Sequence, residues 1–215
     1  MNLKNHALVF FSVLLLGVAV VLSGCATTGM DRFTAAANSI QTVDNEIRRM
    51  SFHIDATATS LDHLIKAEPE DLKRSFDIYS DNLTNLEAQG KLVSKRVQQM
   101  KSRNKEYFAE WDKQGDSYTN PEIRELSEER RNKLAEMYAQ VPIAGAGIEN
   151  TYQAYLTNLK EIRRYLSNDL TPAGVKAIEL ITQQTFRGLD SLLGSLKPLI
   201  DALDAIKSEL YSDKK

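Results

Sequence analysis

What most constrains this chain is a hydrophobic seam that recurs every three and four residues from Phe33 almost to the C-terminus. Its first stretch reads Phe33, Ala36, Ile40, Val43, Ile47, Met50, Ile54, Leu61 and Leu64, with Thr57 as the one polar step. A 3-4-3-4 spacing gathers side chains on one stripe of an α-helix. A mean period near 3.5 is what lets long helices pack in coiled-coil fashion. A composition rich in Lys, Glu, Leu, Ala and Arg with this rhythm points the same way.

The breaks in the rhythm divide the chain. Ala67-Glu68-Pro69 ends the first stretch, because proline disfavours helix in the residue before it but suits a first helical turn. Glu68, Glu70 and Asp71 suit the positive end of the next helix dipole. The second seam reads Leu72, Phe76, Tyr79, Leu83, Leu86, Gly90, Val93, Val97, Met100, Asn104, Tyr107 and Trp111. Gly90 and Asn104 are its weak steps, and an asparagine on such a seam fixes register at some cost in stability. Gln114-Gly115-Asp116-Ser117 is a turn, and Asn120-Pro121 reads as N-cap and first helical position.

The third seam runs Ile123, Leu126, Leu134, Met137, Val141, Ala144, Ile148, Tyr152, Tyr155, Leu159, Ile162 and Leu166, slipping by one residue in two places. Pro142 lies inside it with Gly145 and Gly147 following, and the resumed phase predicts a kinked helix rather than two. Thr171-Pro172 caps the fourth seam, which runs Val175, Ile178, Ile181, Leu189, Leu192, Leu196, Leu199, Leu203, Ile206 and Leu210, with a bend at Pro198. The sequence thus predicts helices over about 33–66, 69–113, 121–167 and 172–211, each roughly 50–70 Å long at 1.5 Å per residue, and a frayed tail at 212–215. Short connections predict an all-α fold: an elongated, antiparallel four-helix bundle, up-down-up-down, in a single domain over 33–211. A hairpin that dimerises would present the same seams; the monomeric bundle is the reading taken here.

The N-terminus carries an address. One basic residue, Lys4, precedes an almost unbroken apolar run from Ala7 to Leu22. That run is too short to span ~30 Å of hydrocarbon comfortably and is followed at once by small residues, the form of a signal peptide. Leu22-Ser23-Gly24-Cys25 resembles the lipobox of bacterial lipoproteins. The resemblance implies cleavage after Gly24, removal of residues 1–24, and acylation of Cys25 through its sulfur and its new amine. Cys25 is the chain's single cysteine, so it has no disulfide partner within the chain. Ala26 in place of aspartate implies, by the same resemblance, the periplasmic face of the outer membrane rather than inner-membrane retention. Residues 25–32 then form a lipidated N-terminus and short tether.

The stretch Phe108-Ala109-Glu110-Trp111, continued by Tyr118, Asn120, Ile123-Arg124 and Ser127, resembles a bacterial family known only as a domain of unknown function. Its members share a long helix ending in a similar motif, a Tyr-x-Asn turn and a helix opening with Arg and Ser. Looser similarity reaches Asn168-Asp169-Leu170. The resemblance implies a helical protein of the Gram-negative envelope and supplies no activity.

Little in the chain suggests chemistry. The formal charge of −2 gives no argument for nucleic acid. His6 leaves with the signal peptide, while His53 and His63 lie ten residues apart and off the seam. There is no Glu-x-x-His pair for a di-iron bundle, no phosphate loop and no nucleophile elbow. Neither enzyme activity, metal nor cofactor is expected. Two features stay in view. Tyr107, Phe108, Trp111 and Tyr118 fall near the tethered end, where Trp and Tyr suit lipid headgroups, although they could equally close the end of the bundle. Ala56, Ala58, Gly90, Pro142, Gly145, Gly147 and Gly188 count to similar heights on the four helices, a predicted waist of small residues for close backbone approach, a hinge or a pocket. The reading is a non-enzymatic, lipid-anchored scaffold or adaptor that binds an envelope protein through helical contacts. The alternative is a carrier of lipid or another small apolar ligand in a mid-bundle pocket.

Overall fold

A computed structural model describes residues 28–211. Cleavage after Gly24, acylation of Cys25 and the tail at 212–215 lie outside the described residues. The described residues fall into two units, divided between Thr34 and Ala35. The chain contains α1 (Gly29–Ile65), a 3-10 turn (Pro69–Asp71), α2 (Leu72–Gly115), α3 (Pro121–Ala144), α4 (Ile148–Asn168), α5 (Pro172–Ala177) and α6 (Glu179–Tyr211). The protein is an all-α helical bundle, without a strand among the described residues.

In the first unit, α1 opens earlier than the apolar pattern indicates. The Thr28 N–H donates to Asp31 Oδ2 at 2.9 Å, and the Asp31 N–H donates back to Thr28 Oγ1 at 3.2 Å. This reciprocal cap satisfies two donors that a helix start leaves orphaned. The Thr28 hydroxyl, which donates to Asp31 Oδ2 at 2.8 Å, and then the Thr28 N–H hold the Asp31 carboxyl below the ordinary carboxylate range.

In the second unit, the expected third helix is two helices. Pro142 does not end α3, which continues to Ala144. The turn that follows is made by the glycines: Gly145 N–H donates to Val141 O at 2.9 Å, Ala146 N–H to Ile143 O at 3.1 Å, and Gly147 adopts φ +84° before α4 begins. That left-handed backbone costs any residue with a Cβ, so Gly147 is the decisive break. The fourth helix is also two. Ile178, at φ −98° and ψ 8°, separates α5 from α6. It turns the start of α6 so that Thr182 and Thr185 are buried while Ile181 is 47% exposed. Their hydroxyls donate to Glu179 O and Ile181 O, both at 2.8 Å, which lets threonine occupy an apolar interior. Thr57 on α1 is buried in the same way, donating to His53 O at 2.7 Å.

Cross-helix hydrogen bonds give the neighbours and their directions. Asn82 reaches Ala56 O while Gln89 reaches Glu46 O, so α1 and α2 run in opposite directions. Tyr79 pairs with Leu159 and Leu86 with Tyr152, so α2 and α4 do likewise. Trp111 meets Ser127, joining α2 to α3; Lys133 meets Glu209, joining α3 to α6; and Arg48 meets Asp204, joining α6 back to α1. The core within this ring is aliphatic and tyrosine-rich. Ile40, Ile54, Leu61, Leu64, Leu83, Leu86, Leu159, Leu166, Leu192, Leu203 and Ile206 are fully inaccessible.

Candidate interaction surface

At Gly90 the middle of the bundle is filled by a side chain from the facing helix. Gly90 is buried on α2, and a Cβ there would lie 2.2 Å from Tyr152 Oη and 2.6 Å from its Cζ. That hydroxyl donates to Leu86 O at 3.0 Å. Leu86 O is the carbonyl one turn before Gly90, so the tyrosine reaches it across a residue with no side chain. Tyr79 makes the reverse connection, donating to Leu159 O at 2.7 Å. Burial pushes the Tyr152 hydroxyl up to about 12 and those of Tyr79, Tyr138 and Tyr155 well above the ordinary phenol value.

This geometry corrects the predicted waist. The Ala56 carbonyl is level with Asn82, whereas Gly90 lies eight residues farther along α2, about 12 Å away. Gly145 approaches Leu199 while Gly188 approaches Tyr155, and those two α6 positions are eleven residues apart, about 16 Å. Ala58 is buried, and Pro142 and Gly147 belong to the α3–α4 junction. Gly90 and Gly188 come near one level, against Tyr152 and Tyr155 on α4, but the other small residues do not join them there, and at Gly90 the space is filled by the Tyr152 ring. What opens beside Gly90 is an outer groove between α2 and α4 of about 400 Å³, lined by Glu87, Lys91, Tyr152, Leu156 and Lys160.

A charge cluster joins α1 to α6. Asp44, 2% exposed on α1, takes the Arg48 Nε at 3.0 Å and the Lys207 Nζ at 2.7 Å. Asp204 completes the square, bonded by Arg48 at 3.1 Å and Lys207 at 2.6 Å. The hydrogen bond from Lys207, then that from Arg48, holds the Asp204 carboxyl below its usual range. Lys207 is raised by its bonds to Asp204 and Asp44, against the opposing effect of burial. Each local pair was visible as an i,i+4 or i,i+3 spacing; their union required α1 and α6 to meet. Beside it, buried Gln89 donates to both the Glu46 carbonyl and its carboxylate at 2.9 Å. His53, which the sequence placed on the solvent side, is half-buried with its ring edge-on to Phe52 at 5.6 Å, and His63 is exposed.

At the end formed by the C-terminal part of α2 and the start of α3, the aromatic residues pack together. Tyr107 stacks edge-on with Phe108 at 5.3 Å and with Trp111 at 5.4 Å, and Phe108 does so with Tyr138 on α3 at 5.3 Å. Trp111 Nε1 donates to Ser127 Oγ at 2.9 Å. Tyr118 contributes its carbonyl, which accepts from Arg124 at 2.6 Å. Tyr107, Phe108, Trp111 and Tyr118 are all half-buried, so the first three serve the α2–α3 packing. Tyr138, buried where the seam had pointed to Met137, was missed because the phase slips in α3. Ile123 and Leu126, expected inside, are instead 48% and 65% exposed beside Trp111 and Ser127. Among the described residues, no helix is long and apolar enough to cross a membrane.

Residues 29–209 match the model of a family described as Protein of unknown function (DUF2959). The chain belongs to that family. The DUF2959 region runs from the first residue of α1 to two residues short of the end of α6, so it takes in the whole described bundle. No curated protein and no solved structure matches the chain.

Proposed function

We propose that this member of the DUF2959 family is a lipid-anchored scaffold or adaptor of the Gram-negative envelope, working through helical protein contacts rather than catalysis. The anchor is Cys25, acylated after cleavage behind Gly24, at the periplasmic face of the outer membrane. One observation carries the adaptor role: at Gly90 the middle of the bundle is filled by a side chain from the facing helix, while large aliphatic side chains stand exposed on the helices. Leu180 and Ile181 at the start of α6 are 63% and 47% exposed, and Ile78 on α2 is 48% exposed. Exposed apolar side chains on regular helices suit helix-to-helix docking by a partner. The carrier alternative needed a mid-bundle pocket, and the Tyr152 ring over Gly90 argues against it.

The test uses a photo-crosslinking amino acid at position 180, in the native chain and in Cys25→Ser, in intact cells. The reading expects one discrete adduct, formed from the native chain and lost from Cys25→Ser. Absence of any adduct from positions 78, 180 and 181 would remove the adaptor role.

A further inference from the structure

We infer that Ile123 and Leu126 form a lipid-contacting patch that seats one end of the bundle on the bilayer holding the anchor. The inference rests on acylation of Cys25, as proposed above. Three observations support it. The two side chains are 48% and 65% exposed and three residues apart on one face of α3. Ile123 lies one turn before Ser127 and Leu126 next to it, and Ser127 holds the half-buried Trp111 indole through a 2.9 Å hydrogen bond. A tryptophan with a polar handle beside exposed aliphatics is the composition favoured at a lipid–water boundary.

The length of the tether selects this end. Ala35, where the bundle unit begins, lies ten residues beyond Cys25, and with the chain helical from Gly29 the reach is at most about 23 Å. Asn38, Ser39 and Thr42 face Arg96, Gln99, Met100 and Arg103 across one small pocket, so the chain enters the bundle at the C-terminal part of α2. From Met100, Trp111 is about 16 Å along the helix, within that reach, whereas Leu72 is about 42 Å away in the other direction. The first three turns of α3 (121–132) carry four acidic and three basic side chains. The contact is therefore apolar, not an electrostatic one with anionic headgroups, and suits a zwitterionic surface.

Trp111 is the only tryptophan in the chain and reports directly. Full-length acylated protein is reconstituted into phosphatidylcholine–phosphatidylethanolamine vesicles whose acyl chains carry bromine, a short-range quencher. Trp111 emission should shift to the blue and be quenched, and added salt should leave this unchanged. Ile123→Asp/Leu126→Asp, both at exposed positions, should retain the circular dichroism of the parent and stay bound to the vesicles, yet lose the quenching. Ile143→Asp, at a 64% exposed position twenty residues farther along α3, should leave quenching unaltered. Vesicle-bound protein with unquenched Trp111, or equal quenching in the double variant, overturns the patch while leaving the anchor intact. Protein that does not bind vesicles at all overturns the anchor itself.

Discussion

Replacing Gly90 by alanine should destabilise this protein, against the expectation for a glycine inside a long helix. Helix propensity alone favours the change by about 1 kcal/mol. Here the new Cβ would stand 2.2 Å from Tyr152 Oη and 2.8 Å from its Cε1, so the ring must leave. Leaving breaks the 3.0 Å bond to Leu86 O, at about 1 kcal/mol. Displacing a ring that is only 4% exposed costs a further ~1–3 kcal/mol in strained packing. The net loss is about 1–3 kcal/mol, or roughly 2–4 °C in Tm per kcal/mol for a chain of this size. In a Tyr152→Ala background the obstacle is gone, and Gly90→Ala should then stabilise by about 1 kcal/mol. Urea unfolding followed by circular dichroism, on the four chains of the cycle, measures both signs. If Gly90→Ala stabilises both backgrounds equally, the ring does not cover Gly90 and the packed middle is wrong.

Asp44→Ala should cost about 2 kcal/mol, because it removes the buried one of the two carboxylates that hold the largely buried Lys207, while Asp204→Ala, half-exposed, should cost well under 1 kcal/mol in the same urea assay. Stability should be flat through neutral pH and fall at both extremes. The depressed Asp204 carboxyl contributes above its unfolded value near 3.9 and loses that contribution as pH drops through its folded pKa. Lys207, raised, and the four buried tyrosines, raised, contribute below about 10 and lose it as pH climbs through their folded pKa values. An alkaline titration followed by tyrosinate absorbance should show these phenols ionising only as helicity is lost. Tyr79→Phe should cost about 1 kcal/mol through its bond to Leu159 O, whereas Tyr138→Phe should be neutral or stabilising, since the Tyr138 hydroxyl is buried without a hydrogen-bond partner among the described residues.

The first seam was legible from its second step: Ala36, Ile40, Val43, Ile47, Met50, Ile54, Leu61 and Leu64 are all buried as its spacing required, while Phe33 is half-buried. Thr57 looked like a flaw only because spacing does not show that its hydroxyl can return to a carbonyl of its own helix. Periodicity identifies a face but not what covers that face. Ile123 and Leu126 continue the rhythm of α3 into a region where α3 buries no residue before Leu134, and so they emerge at the surface. Heights counted along the helices failed because they assumed a common starting level: Ala56 and Gly90 lie about 12 Å apart although α1 and α2 are both unbroken, while Gly90 and Gly188 come near one level against α4. The Asp44–Lys207 pair was hidden by distance in sequence, since 163 residues separate the two charges.

Intact mass spectrometry of the chain extracted in detergent from bacterial membranes tests the anchor on which the proposed role depends. The account predicts one species beginning at Cys25 and heavier than the polypeptide by a diacylglyceryl group and one further acyl chain, absent from Cys25→Ser. A chain that begins elsewhere, or begins at Cys25 with an unmodified thiol, would contradict it.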